Sequence, residues 1–363
     1  MVFGFSLISI GYLNKVASTN FKNVGLLSYD TLFTIAASAI FLGGVIFNIF
    51  NRIKNDKTMI LFSTAANFLG YFGIILFPNI YNIILCRTII GLGAGCACFI
   101  VPQYIFKLAP PETSGLWCSL HAININIGIF IGQACTPLNT NNSWKLAYYP
   151  TICILGLTLI LDFFILNVQT EQKDEMNLKE LFNNKNSRKS IICVLLLHTS
   201  QHLCGVDYLS IFLALILENS YLKIISEAFL AIPSVIISSI LLNKYGRKYL
   251  YVISAFLVGL STAVMVKNKI IGLLIFVLGY NIGISNVPWV VPNEVSPSNY
   301  VPPLTKIGIL SNWISAFLLL FLFTFIHDTI GDWGYLTYSV TMVFMIFYTL
   351  LFVPETKGNS NFI

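Results

Sequence analysis

The chain has 363 residues, 56% of them hydrophobic and only 10% charged, with a formal net charge of +6 and a mean hydropathy of +0.79. Ordinary soluble domains carry about 25% charged residues, so a water-soluble globule is excluded. The apolar runs are too long, and too free of period-2 alternation, for the strands of a transmembrane barrel.

An α-helix crosses the hydrocarbon core with about 20 apolar residues. In chain order the sequence predicts twelve such spans, near residues 1–14, 29–50, 58–77, 80–106, 115–137, 146–168, 189–217, 222–242, 248–267, 270–294, 304–326 and 334–353. The first run stops at Asn14 and Lys15 and has no basic segment before it. A shortened first helix fits this better than a cleaved signal peptide.

Charge sets the expected orientation. With both termini cytoplasmic, the inner loops hold Arg52, Lys54, Lys57, Lys107, Lys173, Lys179, Lys185, Arg188, Lys189, Lys244, Arg247, Lys248, Lys306 and Lys357. The outer loops hold Lys15, Lys22, Lys145, Lys223, Lys267 and Lys269, and Arg87 near a helix end completes the 21 cationic residues. That asymmetry satisfies the positive-inside rule. The positive net charge therefore reflects topology and implies no nucleic-acid partner. A lipid bilayer is the implied surrounding, and a multi-pass plasma-membrane location with both termini inside is expected. The eight cysteines lie almost wholly in apolar segments as small packing residues. No metal cluster or cofactor motif is read. Glu218 and Glu227 read as solvated ends of an outer loop, and Asp162 receives no role.

The polar stretch 169–189, with a short amphipathic piece at 178–182, reads as a cytoplasmic linker between two halves, 1–168 and 190–363. Each half carries the same motifs. Asn51-Arg52-Ile53-Lys54-Asn55-Asp56-Lys57 follows the second span, and Asn243-Lys244-Tyr245-Gly246-Arg247-Lys248 follows the eighth. Val101-Pro102 ends the fourth span, and Val291-Pro292 ends the tenth, at nearly the same separation along the chain. Paired motifs at one spacing indicate an internal duplication. The expected fold is all-α and polytopic, a major facilitator arrangement of about twelve helices in two pseudo-symmetric six-helix bundles. A carboxylate such as Glu294, ending a helix in the second half, is placed to pair with Arg247 as a breakable cytoplasmic latch. Pro288 and Pro292 are expected to break the tenth span.

Several motifs occur in a fixed order. They are Arg87-x-x-x-Gly91-x-Gly93-x-Gly95, then Val101-Pro102-x-Tyr104, Gln201…Gly205, Pro288-Trp289…Glu294, Asn312-Trp313 and Val353-Pro354-Glu355-Thr356-Lys357-Gly358. Together they resemble the sugar porter family of the major facilitator superfamily, the glucose-transporter branch, over nearly the whole chain. The glycines among them also read as helix-packing positions.

The resemblance implies a sugar site formed by Gln201, His202, Asp207, Asn281, Trp289, Asn312 and Trp313. Amides suit hydroxyls because they both donate and accept, and aromatic faces cover the C–H face of a sugar ring. It implies no cofactor, no enzymatic chemistry, a small-molecule sugar as partner, and function as a monomer. The implied transport is of a hexose such as glucose by alternating access.

Several positions depart from the family pattern: His202 and Asp207 in span seven, Ile211 and Phe212 at the two gate tyrosines, and Ala122, Ala231 and Ala316 at amide positions. In the first half Asn55-Asp56 and Lys107 stand where the family latch has Arg-Arg and Glu, which predicts a polarity-reversed pair of Asp56 with Lys107. Ser6 replaces the aspartate that pairs with the span-four arginine, here Arg87, in proton-coupled members. Facilitated diffusion is therefore expected over proton symport, with Asp207 and His202 keeping symport as the alternative. A facilitator for a polyol or other small solute, and a non-transporting sugar sensor, are further readings.

Overall fold

The computed structural model describes residues 1–20, 29–53, 55–108, 114–135, 144–166, 178–184, 187–210, 220–296 and 299–356. Among these residues all regular structure is helical. In order the helices are α1 (Val2–Asn20), α2 (Tyr29–Phe50), α3 (Asp56–Leu76), α4 (Ile80–Leu108), α5 (Ser114–Ala134) and α6 (Tyr149–Asp162). After a short helix α7 (Leu178–Asn183) come α8 (Arg188–Leu203), α9 (Ser220–Ser226), α10 (Ile232–Tyr245), α11 (Arg247–Met265) and α12 (Lys269–Ile282). The last are α13 (Val287–Val290), α14 (Val301–Ile330) and α15 (Tyr335–Phe352).

Eight stretches among the described residues are long and apolar enough to cross a membrane, the last of which, Val301–Phe352, holds both α14 and α15. Helix α1 continues to Asn20, past the Asn14-Lys15 boundary read from the sequence. Its apolar part, Val2–Gly11, is shorter than a full span. Large apolar side chains such as Phe50, Leu69, Phe164, Phe256, Phe325 and Leu351 face outward, as they do where the surroundings are hydrocarbon.

The chain divides into two compact units. Unit 1 holds Met1–Gln169 with Asp207–Ile224 and Ala316–Phe321, and unit 2 holds Thr170–Val206, Ile225–Ser315 and Leu322–Ile363. In unit 1, α2 and α3 pack on α4, α1 on α5, and α6 on α3. The α2–α4 contact is a glycine seam: a Cβ added to Gly43 would lie 2.8 Å from the Gly91 Cα, and one on Gly95 would lie 2.8 Å from the Gly44 Cα. Helix association in lipid lacks a hydrophobic drive between helices, and backbone approach of this kind replaces it. In unit 2, α11 packs on α12 and α15, and α8 on α13 and α15.

One expectation is corrected here. Glu227 is no solvated loop end. It opens a π-helical turn, Glu227–Ala231, between α9 and α10, and is only 5% exposed. A π turn has a wider period than an α turn, so a 3.6-residue pattern does not anticipate which residues around it are buried. Glu218 lies outside the described residues.

Candidate functional site

The tenth span breaks before Pro288. Helix α12 stops at Ile282, residues 283–286 turn, and α13 starts at Val287. Proline has no N–H, so Pro288 cannot bond the carbonyl four residues earlier. That carbonyl belongs to Ile284, and Gln201 Nε2 donates to it at 2.9 Å. The same nitrogen donates to the Ser285 carbonyl at 3.1 Å, which is free because Trp289 N turns instead to the Asn286 carbonyl at 3.1 Å.

The rest of the break is sewn to neighbouring helices. Ser238 Oγ donates to the Ile282 carbonyl at 2.6 Å and accepts from Asn286 Nδ2 at 3.0 Å. Ser254 Oγ accepts from Ile284 N at 2.9 Å and donates to the Gly279 carbonyl at 2.5 Å. The bonds to the Ile282 and Gly279 carbonyls and from the Ile284 N–H stand in for ones that a continuous helix would have made for itself, as irregular backbone at membrane depth requires.

Gln201 and Asn312 are brought into direct contact, with Asn312 Nδ2 donating to Gln201 Oε1 at 2.7 Å and to the His198 carbonyl at 3.3 Å. The amide of Gln201 thus joins α8, the broken span and α14. Asn281 is not part of this set: its Nδ2 bonds back to the Val277 carbonyl of its own helix at 2.8 Å, while its Oδ1 is buried and accepts no hydrogen bond among the described residues. His202 and Trp313 are buried, and Trp289 is half-buried. Asp207, in the helical residues 206–210, is buried and belongs to unit 1.

His198, which carried no assigned role, meets Trp289 edge-on with ring centroids 5.0 Å apart. A Cβ on Gly308 would lie 2.6 Å from its ring, so α14 closes on α8 against that imidazole. The i, i+4 spacing of His198 and His202 was the one sequence signal for it.

In unit 1, Arg87 is 1% exposed and among the described residues donates to main-chain carbonyls: Nε to Ala36 at 2.7 Å, NH1 to Ser6 at 3.0 Å and NH2 to Ala37 at 3.2 Å. Ser6 Oγ bonds the Tyr71 hydroxyl and, at 2.9 Å, the Val2 carbonyl. Arg87 therefore staples α4 to α1 and α2 through carbonyl groups. Tyr148 adds a bond from its hydroxyl to the Ser9 carbonyl at 2.8 Å.

At the other end of unit 2, Arg247 NH2 and Glu294 Oε1 form an ion pair at 2.5 Å. Glu294 Oε2 also accepts from Thr356 Oγ1 at 2.5 Å. Glu355 receives the backbone N–H groups of Arg247 (2.9 Å) and Lys248 (3.2 Å). Sequence reasoning singled out 353–358 only as a signature and missed this structural role. The Gly at 246 and the cationic start of α11 were the available signals. Asp56 sits in the first turn of α3 and is 7% exposed; the side chain of Lys107 lies outside the described residues. Also in unit 1, Lys57 Nζ bonds the Phe163 carbonyl (2.7 Å) and Tyr104 the Leu166 carbonyl (2.8 Å), fastening the end of α6.

Lipid-facing helices, a broken helix with its carbonyls capped by side chains, and a cluster of intramembrane amides define a polytopic helical membrane transporter. The chain belongs to the sugar (and other) transporter family, whose model matches residues 2–168 and 165–362. Facilitated glucose transporter member 2 of solute carrier family 2 from Rattus norvegicus is 24% identical, over 91% of this chain and 76% of that protein. Member 1 from Gallus gallus is 23% identical over 99% and 89%. The partially occluded inward-open structure of the xylose transporter XylE from E. coli superposes with a TM-score of 0.79 at 17% identity, covering 99% of this chain and 96% of that one. This likeness gives the chain the major facilitator fold.

Proposed function

We propose that this protein carries a hexose such as glucose across the plasma membrane by alternating access, as a facilitative uniporter working as a monomer with both termini cytoplasmic. The six-helix halves, 1–168 and 190–363, rock about the site, and the segment between them is the linker. The observation that carries the reading is the Asn281 Oδ1, a buried acceptor in the broken span to which no described protein group donates. Buried amide oxygens are nearly always bonded, and a sugar hydroxyl is a suitable donor. The Gln201–Asn312 pair supports it: both N–H groups of each amide are committed to the protein, which leaves the Asn312 oxygen and the second lone pair of the Gln201 oxygen to accept hydroxyls. Trp289, half-buried beside His198, would cover the ring face. Asp207, His202 and Trp313 complete the proposed contacts.

Closure on the cytoplasmic side rests on the Arg247–Glu294 pair, and in the first half on Asp56 with Lys107. Opposite charges exchanged between those two positions should restore what each single exchange removes. Uniport is favoured because Arg87 is held by carbonyl groups with Ser6, which cannot titrate usefully, at the place of the family's aspartate. Proton coupling is the second reading, since XylE is a proton:xylose symporter and Asp207 is a buried carboxyl.

Radiolabelled glucose uptake into proteoliposomes, with and without a proton gradient, separates these. Saturable uptake indifferent to the gradient supports the uniporter. Gradient-driven accumulation moves coupling to Asp207, and an absence of glucose flux moves the substrate to a polyol or another solute.

A further inference from the structure

Span seven is interrupted at Cys204-Gly205, where Gly205 takes φ +83°, a conformation that favours glycine. The break is braced from α15. A side chain at Gly205 would run into the Tyr338 ring, with a Cβ only 2.7 Å from its Cε2 and Cζ. Thr341 Oγ1 lies 2.8 Å from the Leu203 carbonyl, just before the break, and 2.8 Å from the Tyr338 carbonyl of its own helix, which share its one hydrogen. Tyr338 is fully buried, so its hydroxyl depends on a protein partner.

One such partner is His327, near the end of α14. Its Nε2 lies 3.0 Å from the Tyr338 hydroxyl, and its Nδ1 lies 3.2 Å from the Gly331 carbonyl. A carbonyl can only accept, so Nδ1 carries the hydrogen of the neutral ring. Nε2 then offers a lone pair, and Tyr338 donates to it. Adding a proton to Nε2 reverses this bond: the ring becomes the donor and the tyrosine must give up its own donated bond. With Tyr338 packed on Gly205, that rearrangement reaches the break in span seven.

The surroundings can both deliver and hold a proton. Asp328 on the same helix, Asp332 on the 3-10 turn Gly331–Gly334, and Lys269 of α12 are the charged groups acting on the ring. Tyr335 and Tyr338 of α15 contact it edge-on or tilted, with centroids 4.6 and 5.7 Å away. Lys269 and Asp332 pair at 2.8 Å with side chains 40% and 49% exposed, so the cluster opens to water on one side. Burial holds the ring's pKa below the ordinary histidine value, while the Nδ1 bond to the Gly331 carbonyl and two carboxylates against one paired lysine work the other way and keep an imidazolium within reach of acid.

We propose that His327 is a proton sensor that acts through Tyr338 on the Gly205 break, so that acidification on its side of the membrane loosens span seven and slows transport. In the orientation proposed above, that side is the outside. The proposal concerns regulation and goes beyond the transported solute.

Hydrogen exchange of residues 199–210 in the full-length purified protein, corrected for intrinsic rates, needs no sugar and so is independent of the sugar reading. From about pH 7.5 to about pH 5, reaching below the ordinary histidine range because burial lowers the ring's pKa, wild-type exchange in 203–208 is expected to rise roughly fivefold or more, the size of a local opening change. His327→Gln should abolish the rise while keeping the protection seen at the higher pH, and Tyr338→Phe should show raised exchange at both. In proteoliposomes, external acid should slow wild-type uptake and leave His327→Gln unaffected. A wild-type segment indifferent to pH, a rise that persists in His327→Gln, or sensitivity only to acid on the opposite side would overturn the proposal.

Discussion

Glu355 and Arg247 are joined through the main chain: the carboxylate of one accepts the backbone N–H of the other at 2.9 Å. Its second oxygen takes the next N–H, from Lys248, at 3.2 Å. A carboxylate there satisfies two of the four orphan donors of α11 and meets the positive end of the helix dipole. The signature after the last span thus acts as a cap supplied from a distant part of the chain. Glu355→Ala should lower thermal stability in detergent by about 0.5–2 kcal/mol, the range of lost caps, whereas Glu355→Gln, keeping one acceptor, should lose less. Equal losses would point to charge alone.

Gly246 should tolerate no side chain. Its φ is +92°, and a Cβ there would be driven into the Glu355 carboxylate. Gly246→Ala combines backbone strain of about 1–3 kcal/mol with loss of the cap. Its melting temperature should fall further than that of Glu355→Ala, and the double variant should add little.

The Arg247–Glu294 pair is partly exposed, so its static contribution is small and its weight should show in transport. In a double-mutant cycle on Arg247→Ala and Glu294→Ala, sugar-stimulated exchange should reveal a coupling of about 1–3 kcal/mol. Melting temperatures should move little. Thr356→Val removes the hydroxyl on the other Glu294 oxygen and should produce a smaller change of the same sign. Additive single effects on exchange would remove the latch role.

Arg87 should not be replaceable by lysine. Its three bonds to Ser6, Ala36 and Ala37 carbonyls use the guanidinium fork, which one ammonium cannot reproduce. Arg87→Lys should cost roughly 1–3 kcal/mol for each carbonyl left unbonded, read as lost monodisperse yield and melting temperature.

Ser6→Asp puts a carboxylate on a residue whose main-chain carbonyl accepts from that guanidinium. Uptake in this variant should become sensitive to a proton gradient that the parent protein ignores. Uptake as indifferent as the parent's would show that a carboxylate at residue 6 is insufficient for coupling.

Hydropathy and charge decided the class because they are local and cumulative. A run such as 31–50 is apolar whatever it packs on, and basic loops such as 51–57 are visible one residue at a time. The glycines of α4 were legible as packing positions for the same reason: Gly91 and Gly95 meet Gly43 and Gly44 across the α2–α4 seam, and Gly93 meets Ser63 and Asn67 of α3. Pro288 announced a broken span because its missing N–H is a covalent fact. The structure alone decided where the break falls, and that Gln201, 83 residues away, takes the freed carbonyl of Ile284. The same holds for Glu227, buried at the start of a π turn that no period reveals, and for Glu355, whose cap lies 108 residues from its partner. Which groups are orphaned is written along the chain, but which side chain satisfies them depends on helices meeting in space. Hydrogen bonds act over a few ångströms, whereas the sequence separations they close are of any length.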